Sequence, residues 1–178
     1  MLSLKMNDLA ADALGMWAGQ AVFSPPGGLA PGLRQRIAVG VLRQGKVLTW
    51  ADSAGSADGA PSQFPDLTAW ECADSSLHLE DFVPVKVPVI DYTPQISEAD
   101  QRVLLLHGMA LAIALSGLVR GLEQPTPVRC IIGANDTNAT FRFHQIRPGE
   151  FWNAGDLDSY QRDKLIVVDI EPTTHKPG

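Results

Sequence analysis

The sequence has few of the residues from which catalytic and metal centres are built. It holds two cysteines and four histidines in 178 residues. The cysteines, Cys72 and Cys130, form no Cys-x-x-Cys pair, and no histidine stands at metal-ligand spacing from another ligand residue. The phosphate-binding glycine motifs, GxSxG and HExxH are also missing. We therefore expect no metal, no cofactor and no enzymatic activity.

The low cysteine content also bears on the compartment. Two reduced, partly buried thiols are typical of a cytosolic protein, although a disulfide between Cys72 and Cys130 is an open alternative. Residues 1–21 lack the basic start of a signal peptide, and Asp8 and Asp12 interrupt their apolar run. These features predict a cytoplasmic protein.

Positive charge is scarce as well. The chain has 14 lysines and arginines against 20 aspartates and glutamates, a formal net charge of −6. It has no basic stripe of the kind that binds nucleic acid, so we expect no nucleic-acid partner. From Asp52 to Asp100 there are ten acidic residues and one basic residue, Lys86. Such an acidic surface suits a basic protein partner, or serves solubility alone.

One long helix is predicted at residues 97–121. Ser97 and Asp100 resemble a capping box at its start, and Gly121 is a typical C-terminal cap. The 17 residues from Val103 to Val119 carry no formal charge. A membrane span needs about 17 to 25 apolar residues, but neither flank has the lysine or arginine cluster that sets orientation. We therefore predict the buried central helix of a soluble domain, with no membrane contact.

A shorter helix is predicted near the N-terminus. Asn7 and Asp8 are good N-caps, and apolar residues follow at helical spacing. A strand at Leu2–Met6 is the alternative reading of the same stretch. Alternating or apolar runs predict short strands or extended segments elsewhere, at 35–42, 47–50, 67–71, 77–82, 83–92, 128–134, 140–146 and 164–171.

Together these elements predict a single α+β domain over residues 1–178. Its antiparallel or mixed sheet has about five to seven strands, with the 97–121 helix packed on one face and the N-terminal helix beside it. Residues 51–65 are small and polar and predict a flexible loop, and residues 172–178 predict a disordered tail.

Two histidines lie on predicted elements. His107 is on the apolar helix, where a satisfied core histidine is the favoured reading, and His144 shares a strand face with Arg142 and is expected at the sheet surface. An alternative function follows from that face. His144, Arg142 and Asp169 could form the site of a small-molecule-binding domain or of an enzyme with a non-standard centre.

Carboxylates and aromatic residues interleave between residues 150 and 163. Aromatic anchors ringed by charge are typical of protein-binding surfaces, and the acids would steer a basic partner. The competing reading is that the aromatics fold back onto the sheet. A second acidic run spans residues 71–81. The predicted partner-binding residues are Glu71, Asp74, Glu80, Asp81, Glu150, Trp152, Asp156, Asp158, Tyr160 and Asp163.

Three segments in residues 95–171 resemble those of bacterial immunity proteins, which neutralise the toxins of polymorphic or type VI secretion systems. They are the apolar helix VLLLHGMALAIAL, the antiparallel run CIIGANDTNATFRFHQIRPGEFW and the terminal strand KLIVVDIEP. The resemblance implies a partner: a cognate secreted toxin, often a nuclease, with a basic active-site surface. It also implies that acidic and aromatic side chains plug that active site, which points to residues 150–163 and 71–81.

Overall fold

The fold combines four α-helices with nine β-strands in residues 1–17, 19, 23–53 and 59–172, which the computed structural model describes. The helices are α1 (Asp8–Ala13), α2 (Pro31–Val39), α3 (Leu67–Asp74) and α4 (Glu98–Arg120). The strands are β1 (Leu2–Met6), β2 (Val41–Gln44), β3 (Val47–Trp50), β4 (Leu77–His78), β5 (Val89–Ile90), β6 (Thr93–Pro94), β7 (Val128–Ala134), β8 (Ala139–Gln145) and β9 (Lys164–Ile170). Residues 54–58 of the predicted loop and 173–178 of the predicted tail lie outside the described residues.

A five-stranded antiparallel sheet forms the centre, in the order β1-β9-β7-β8-β4. Cys130 of β7 stands opposite Val168 of β9 and Phe143 of β8. Because residues directly opposite each other on neighbouring strands lie on the same side of a sheet, these three share one face, and all three are buried. The predicted α+β class, with a long helix on an antiparallel sheet, is confirmed.

The long helix α4 covers this inner face. Its start is capped as predicted: the Ser97 hydroxyl accepts a hydrogen bond from the Asp100 backbone N–H at 3.1 Å. At Gly108 the helix comes close to Ile132 of β7, as the absence of a side chain allows. In the described residues α4 is the one helix long and apolar enough to cross a membrane, but 61% of its most apolar stretch is buried inside the protein. This burial is consistent with a soluble protein.

The N-terminal region contains both elements that competed for it in the sequence. Residues Leu2–Met6 form edge strand β1, and Asn7 then caps α1 by accepting a hydrogen bond from the Ala10 N–H at 3.1 Å. The extended reading of residues 35–42 is wrong over most of its length. Pro31 begins helix α2, since proline is favoured in a first helical turn, and Gly40, with φ of 82°, ends it.

The extended reading of residues 67–71 is wrong as well. Asp66 accepts a hydrogen bond from the Ala69 N–H at 2.7 Å and so starts helix α3. Residues 77–82 contain only the short strand β4 and a 3₁₀ turn, Leu79–Asp81. Strands β2 and β3 pair as an antiparallel hairpin, and so do β7 and β8. Cys72 and Cys130 are both buried and free, so no disulfide joins them.

Candidate functional site

Residues 147–163 join β8 to β9 and cross the outer face of the sheet, the face opposite α4; we call them the crossing segment. One end lies against α3, where Glu150 accepts a hydrogen bond from the Thr68 N–H at 3.0 Å. The middle lies over β8, where Arg142 stacks on the Trp152 ring at 5.4 Å from its centroid. The far end reaches α1, where Asp158 accepts from the Asp8 N–H at 2.7 Å.

The first anchor of the crossing segment is a buried ion pair. The carboxylate of Glu71, which is fully buried, accepts hydrogen bonds from both terminal nitrogens of Arg147 at 2.7 and 2.8 Å. It also accepts hydrogen bonds from the backbone N–H groups of Leu48 and Gln145 and from the Gln145 side chain. One carboxylate thus joins the β2–β3 hairpin, the central sheet and the crossing segment. Glu71 therefore cannot meet a partner in this structure, and its prediction as a contact residue is corrected.

The second anchor is Asn7, which is also buried. Its amide nitrogen donates to the carbonyl of Asp163 at 2.8 Å, and its oxygen accepts from the Leu165 N–H at 2.9 Å. The same oxygen caps helix α1 through Ala10. Leu157 is buried within the segment and adds an apolar contact point. Both ends of the crossing segment are therefore fixed to the rest of the fold.

Between these anchors the segment presents aromatic and acidic side chains to solvent. Phe151 is 74% exposed, while Trp152 is 41% exposed and keeps one face against Arg142. Asp156 and Asp158 are exposed as well. Tyr160 is half-buried, and its hydroxyl accepts a hydrogen bond from the Ala154 N–H at 3.0 Å. The aromatics thus divide: Phe151 points away from the fold, and Trp152 and Tyr160 pack partly against it.

The second acidic set is placed elsewhere, on α3 and the 3₁₀ turn beside β4. Asp74 accepts a hydrogen bond from the Ser53 hydroxyl at 2.7 Å, and Glu80 accepts from the Ala139 N–H at 3.0 Å. Asp81 is exposed. Within the part of the chain that is described, no ion pair or hydrogen bond links these three acids to residues 150–163. The two predicted contact sets therefore do not form one cluster.

A cavity of about 200 Å³ opens between the crossing segment and the outer face of the sheet. Arg142 lies on its wall, half-buried, and donates to the Thr140 hydroxyl at 3.1 Å. Burial lowers the pKa of this guanidinium below its usual value. No carboxylate of the described residues lies within ion-pairing distance of it. The other residues that line the cavity are Ile131, Gly133, Asn138, Trp152, Asn153, Tyr160, Asp163 and Leu165.

The three residues of the alternative site, His144, Arg142 and Asp169, do not share this cavity. Asp169 forms a two-pronged ion pair with Arg129, at 2.7 and 2.8 Å. His144 is 2% exposed and donates from Nδ1 to its neighbouring carbonyl, at Gln145, at 2.7 Å. Of these three residues, Arg142 alone lines the cavity. The described residues also contain no group of three or more histidines, cysteines or acids that could hold a metal ion.

The expected surface position of His144 is therefore wrong, although its strand face was assigned correctly. The outer face of the sheet is itself largely covered, since Ile131, Leu165 and Val167 on that face are buried. Burial lowers the pKa of His144, because the charged imidazolium loses its hydration there. His107 is buried too, as predicted, and its Nδ1 accepts a hydrogen bond from the Ala30 N–H at 3.3 Å.

A family model matches residues 46–176 of the chain, which is well over half of its length. The chain belongs to the uncharacterized protein PM0498 family. No curated protein and no solved structure is significantly similar to it. The matched range contains the crossing segment, the cavity and both members of the Glu71–Arg147 ion pair. It leaves out β1, α1, α2 and β2.

A further exposed feature lies in the matched range, within residues 83–92, which are predicted to be a short strand or an extended segment. Strands β5 and β6 form a small hairpin whose turn residues, Asp91 and Tyr92, both have positive φ. Tyr92 is fully exposed, and Val89 and Ile90 are more than half exposed. Aspartate tolerates the left-handed region, but tyrosine there is uncommon, so the local sequence carried little signal for this turn. We call residues 89–94 the exposed hairpin.

Proposed function

We propose that the protein is a bacterial immunity protein, which binds a cognate secreted toxin and blocks its active site. It acts as a stoichiometric inhibitor in the cytoplasm, and the toxin belongs to a polymorphic or type VI secretion system. The contact surface is the outer side of the crossing segment. The observation that carries this proposal is Phe151, an aromatic side chain 74% exposed in a segment held at both ends.

The fixed ends of the crossing segment support this role, because they reduce the conformational entropy that would be lost on binding. Ordering a mobile loop on binding costs free energy, which a loop already fixed in the free protein avoids. The Glu71–Arg147 ion pair and the Asn7 amide fix the two ends before a partner arrives. Large aromatic side chains are the residues that dominate binding energy at protein interfaces. Phe151 and Trp152 supply that apolar area at the exposed centre of the segment.

The charges support a basic partner. Asp156 and Asp158 are exposed beside the aromatics, and the whole chain has a net charge of −6. Acidic surfaces accelerate association with positively charged ones. Toxins that cleave nucleic acids carry such surfaces, since their substrates are polyanions. The proposal therefore favours a nuclease toxin and gives the protein itself no nucleic-acid or membrane partner.

Co-expression tests the proposal. The gene beside this one would be induced in a bacterial host with the wild-type protein, with Phe151→Ala and Trp152→Ala together, or with Tyr92→Ala. We expect the wild type and Tyr92→Ala to restore growth, and the double variant to fail although it folds. If the wild type neither restores growth nor forms a tight complex with the neighbouring product, the proposal is wrong. If only Tyr92→Ala fails, the exposed hairpin is the contact surface instead.

A further inference from the structure

The cavity beneath Trp152 holds a cation, Arg142, to which the described residues offer no counter-charge. Among those residues, Arg142 has one hydrogen-bond partner, the Thr140 hydroxyl, and one ring contact, Trp152. Half-buried charges in proteins are normally paired, since they lose hydration without compensation. The neighbouring Arg129 follows this rule with Asp169. Arg142 departs from it, and it does so on the wall of an open cavity.

The opposite charge stands in the same cavity but apart from Arg142. Asp163 lines it and accepts a hydrogen bond from the Asn135 side chain at 2.7 Å. Asp163 and Arg142 form no ion pair within 4.0 Å. A carboxylate can accept several hydrogen bonds, so Asp163 can still receive a donor from a ligand. The cavity therefore presents a cation and an anion at separate points of its wall.

We propose that this cavity binds a free α-amino acid, whose carboxylate meets Arg142 and whose ammonium group meets Asp163. The guanidinium is suited to the first contact, since it offers donors in a planar fork that matches a carboxylate. Its stacking on Trp152 holds that fork in place. This site lies between the crossing segment and the sheet. It shares Trp152 with the proposed toxin-binding surface, whereas Phe151, the anchor of that surface, does not line the cavity.

The walls and the volume restrict the ligand further. Trp152 and Tyr160 supply aromatic surface, and Ile131 and Leu165 supply buried aliphatic surface. A volume of about 200 Å³ is below the range of about 300–1,000 Å³ that drug-sized ligands occupy. Nucleotides and long peptides are therefore too large. A single amino acid with a small or apolar side chain fits both the walls and the size.

Isothermal titration calorimetry with the purified full chain and each of the twenty amino acids tests the assignment, with no toxin present. We expect at least one to bind, and its carboxamide and its N-acetyl derivative to bind more weakly. Arg142→Gln should weaken binding by at least roughly tenfold, since a charge-assisted contact is lost. Asp163→Asn should weaken the binding of the amino acid more than it weakens the binding of the N-acetyl derivative. Arg43→Gln, an exposed arginine on β2, is the matched control and should bind as the wild type does.

Thermal melting of each variant keeps the test decisive. Should Arg142→Gln fail to fold, Arg142→Lys replaces it, and its affinity should fall while its charge is kept, because the planar fork is gone. The proposal is overturned if no amino acid binds at millimolar concentration. It is equally overturned if a folded Arg142 variant binds as tightly as the wild type. Neither result bears on growth rescue by the toxin-binding surface, so the two proposals fail separately.

Discussion

Glu71 is the residue at which three parts of the molecule meet. Its two oxygens accept five hydrogen bonds, from two backbone N–H groups, the Gln145 amide and both terminal nitrogens of Arg147. A buried carboxylate needs this degree of compensation, since its hydration is lost on folding. The same contacts set the position of Arg147, the first residue of the crossing segment. Stability and site geometry therefore depend on one side chain.

Replacing Glu71 by alanine should be strongly destabilising. The change removes the acceptor of two backbone N–H groups and the buried counter-charge of Arg147, which keeps its hydrogen bond to the Lys46 carbonyl at 2.8 Å. Breaking a buried pair in this way costs about 3–5 kcal/mol. The measurement is urea denaturation followed by circular dichroism. Asp81→Ala, which removes an exposed carboxylate, is the control and should change the unfolding free energy by less than about 0.5 kcal/mol. Equal effects for the two variants would contradict the role assigned to Glu71.

His144 should make the protein less stable in mild acid. Burial lowers its pKa below the ordinary value of 6.5, so below that pH the unfolded chain binds a proton that the folded chain does not. Stability should then fall as the pH drops from 7.5 to 5.5. Protonation would also add an N–H group at Nε2. That atom is buried and has no hydrogen-bond partner in the described structure, so the new donor would be unsatisfied.

The test compares unfolding free energies at pH 7.5 and 5.5 for the wild type and for His144→Gln. The variant should lose less stability on acidification than the wild type, even if it starts lower. Burial also lowers the pKa of His107, so part of the dependence of the unfolding free energy on pH should remain in both proteins. An unchanged pH dependence in His144→Gln would show that His144 does not titrate as described.

At the scale of elements, the fold depends on how closely α4 approaches the sheet. Two glycines of this helix experience opposite surroundings. A Cβ atom built on Gly108 would lie 2.5 Å from the Cγ2 atom of Ile132, which is closer than packed carbon atoms come. A Cβ atom on Gly117 would meet nothing within 4 Å. Gly108 is therefore required for packing, and Gly117 is not.

Alanine substitution at the two glycines should change stability in opposite directions. Alanine favours helix over glycine by about 0.8–1.0 kcal/mol, and this gain should appear in Gly117→Ala. In Gly108→Ala the overpacking against Ile132 should outweigh it and give a net loss of about 1–2 kcal/mol. Thermal melting of the two variants beside the wild type is the measurement. Stabilisation by both substitutions would mean that α4 does not approach β7 as closely as described.

Elements with complete local signals could be predicted from the sequence. Helix α4 has an N-cap, a long apolar interior and a glycine cap. Strand β8 alternates clearly, and β7 and β9 are short apolar runs of the kind that form buried strands. Helix α2 was missed because Ile37, Val39 and Val41 alternate like a strand, while Pro31 and Gly40 set the actual limits. Helix α3 is short, and its sequence is compatible with an extended segment as well, so the Asp66 N-cap alone did not identify it as a helix.

The site was harder to predict because exposure is decided by distant residues. Glu71 and Asp156 are both acids in acidic stretches, yet one is buried by Arg147, 76 positions away, and the other is exposed. His144 was placed on the correct face, but the sequence does not say that this face is covered. The aromatic and acidic character of residues 150–163 can be read from the sequence. The cavity beneath them cannot, because it depends on how the chain crosses the sheet.

At the scale of the whole molecule, we propose that this acidic protein meets a basic partner through one fixed surface. Phe151 would provide the apolar anchor, and the exposed acids around it would steer the encounter. Because such steering is screened by salt, the association rate with the toxin should fall as ionic strength rises. The dissociation rate should depend chiefly on the aromatic contact instead.

The affinity of the purified protein for the product of the neighbouring gene, the proposed toxin, tests this account most directly, when Phe151→Ala is compared with Tyr92→Ala in a surface-binding assay. Both substitutions remove one exposed aromatic side chain, from the crossing segment and from the exposed hairpin respectively. We predict that Phe151→Ala weakens binding by about 2 kcal/mol or more, mainly through faster dissociation, and that Tyr92→Ala leaves it nearly unchanged. Absence of binding by the wild type, or equal affinity of Phe151→Ala and the wild type, would contradict the assignment.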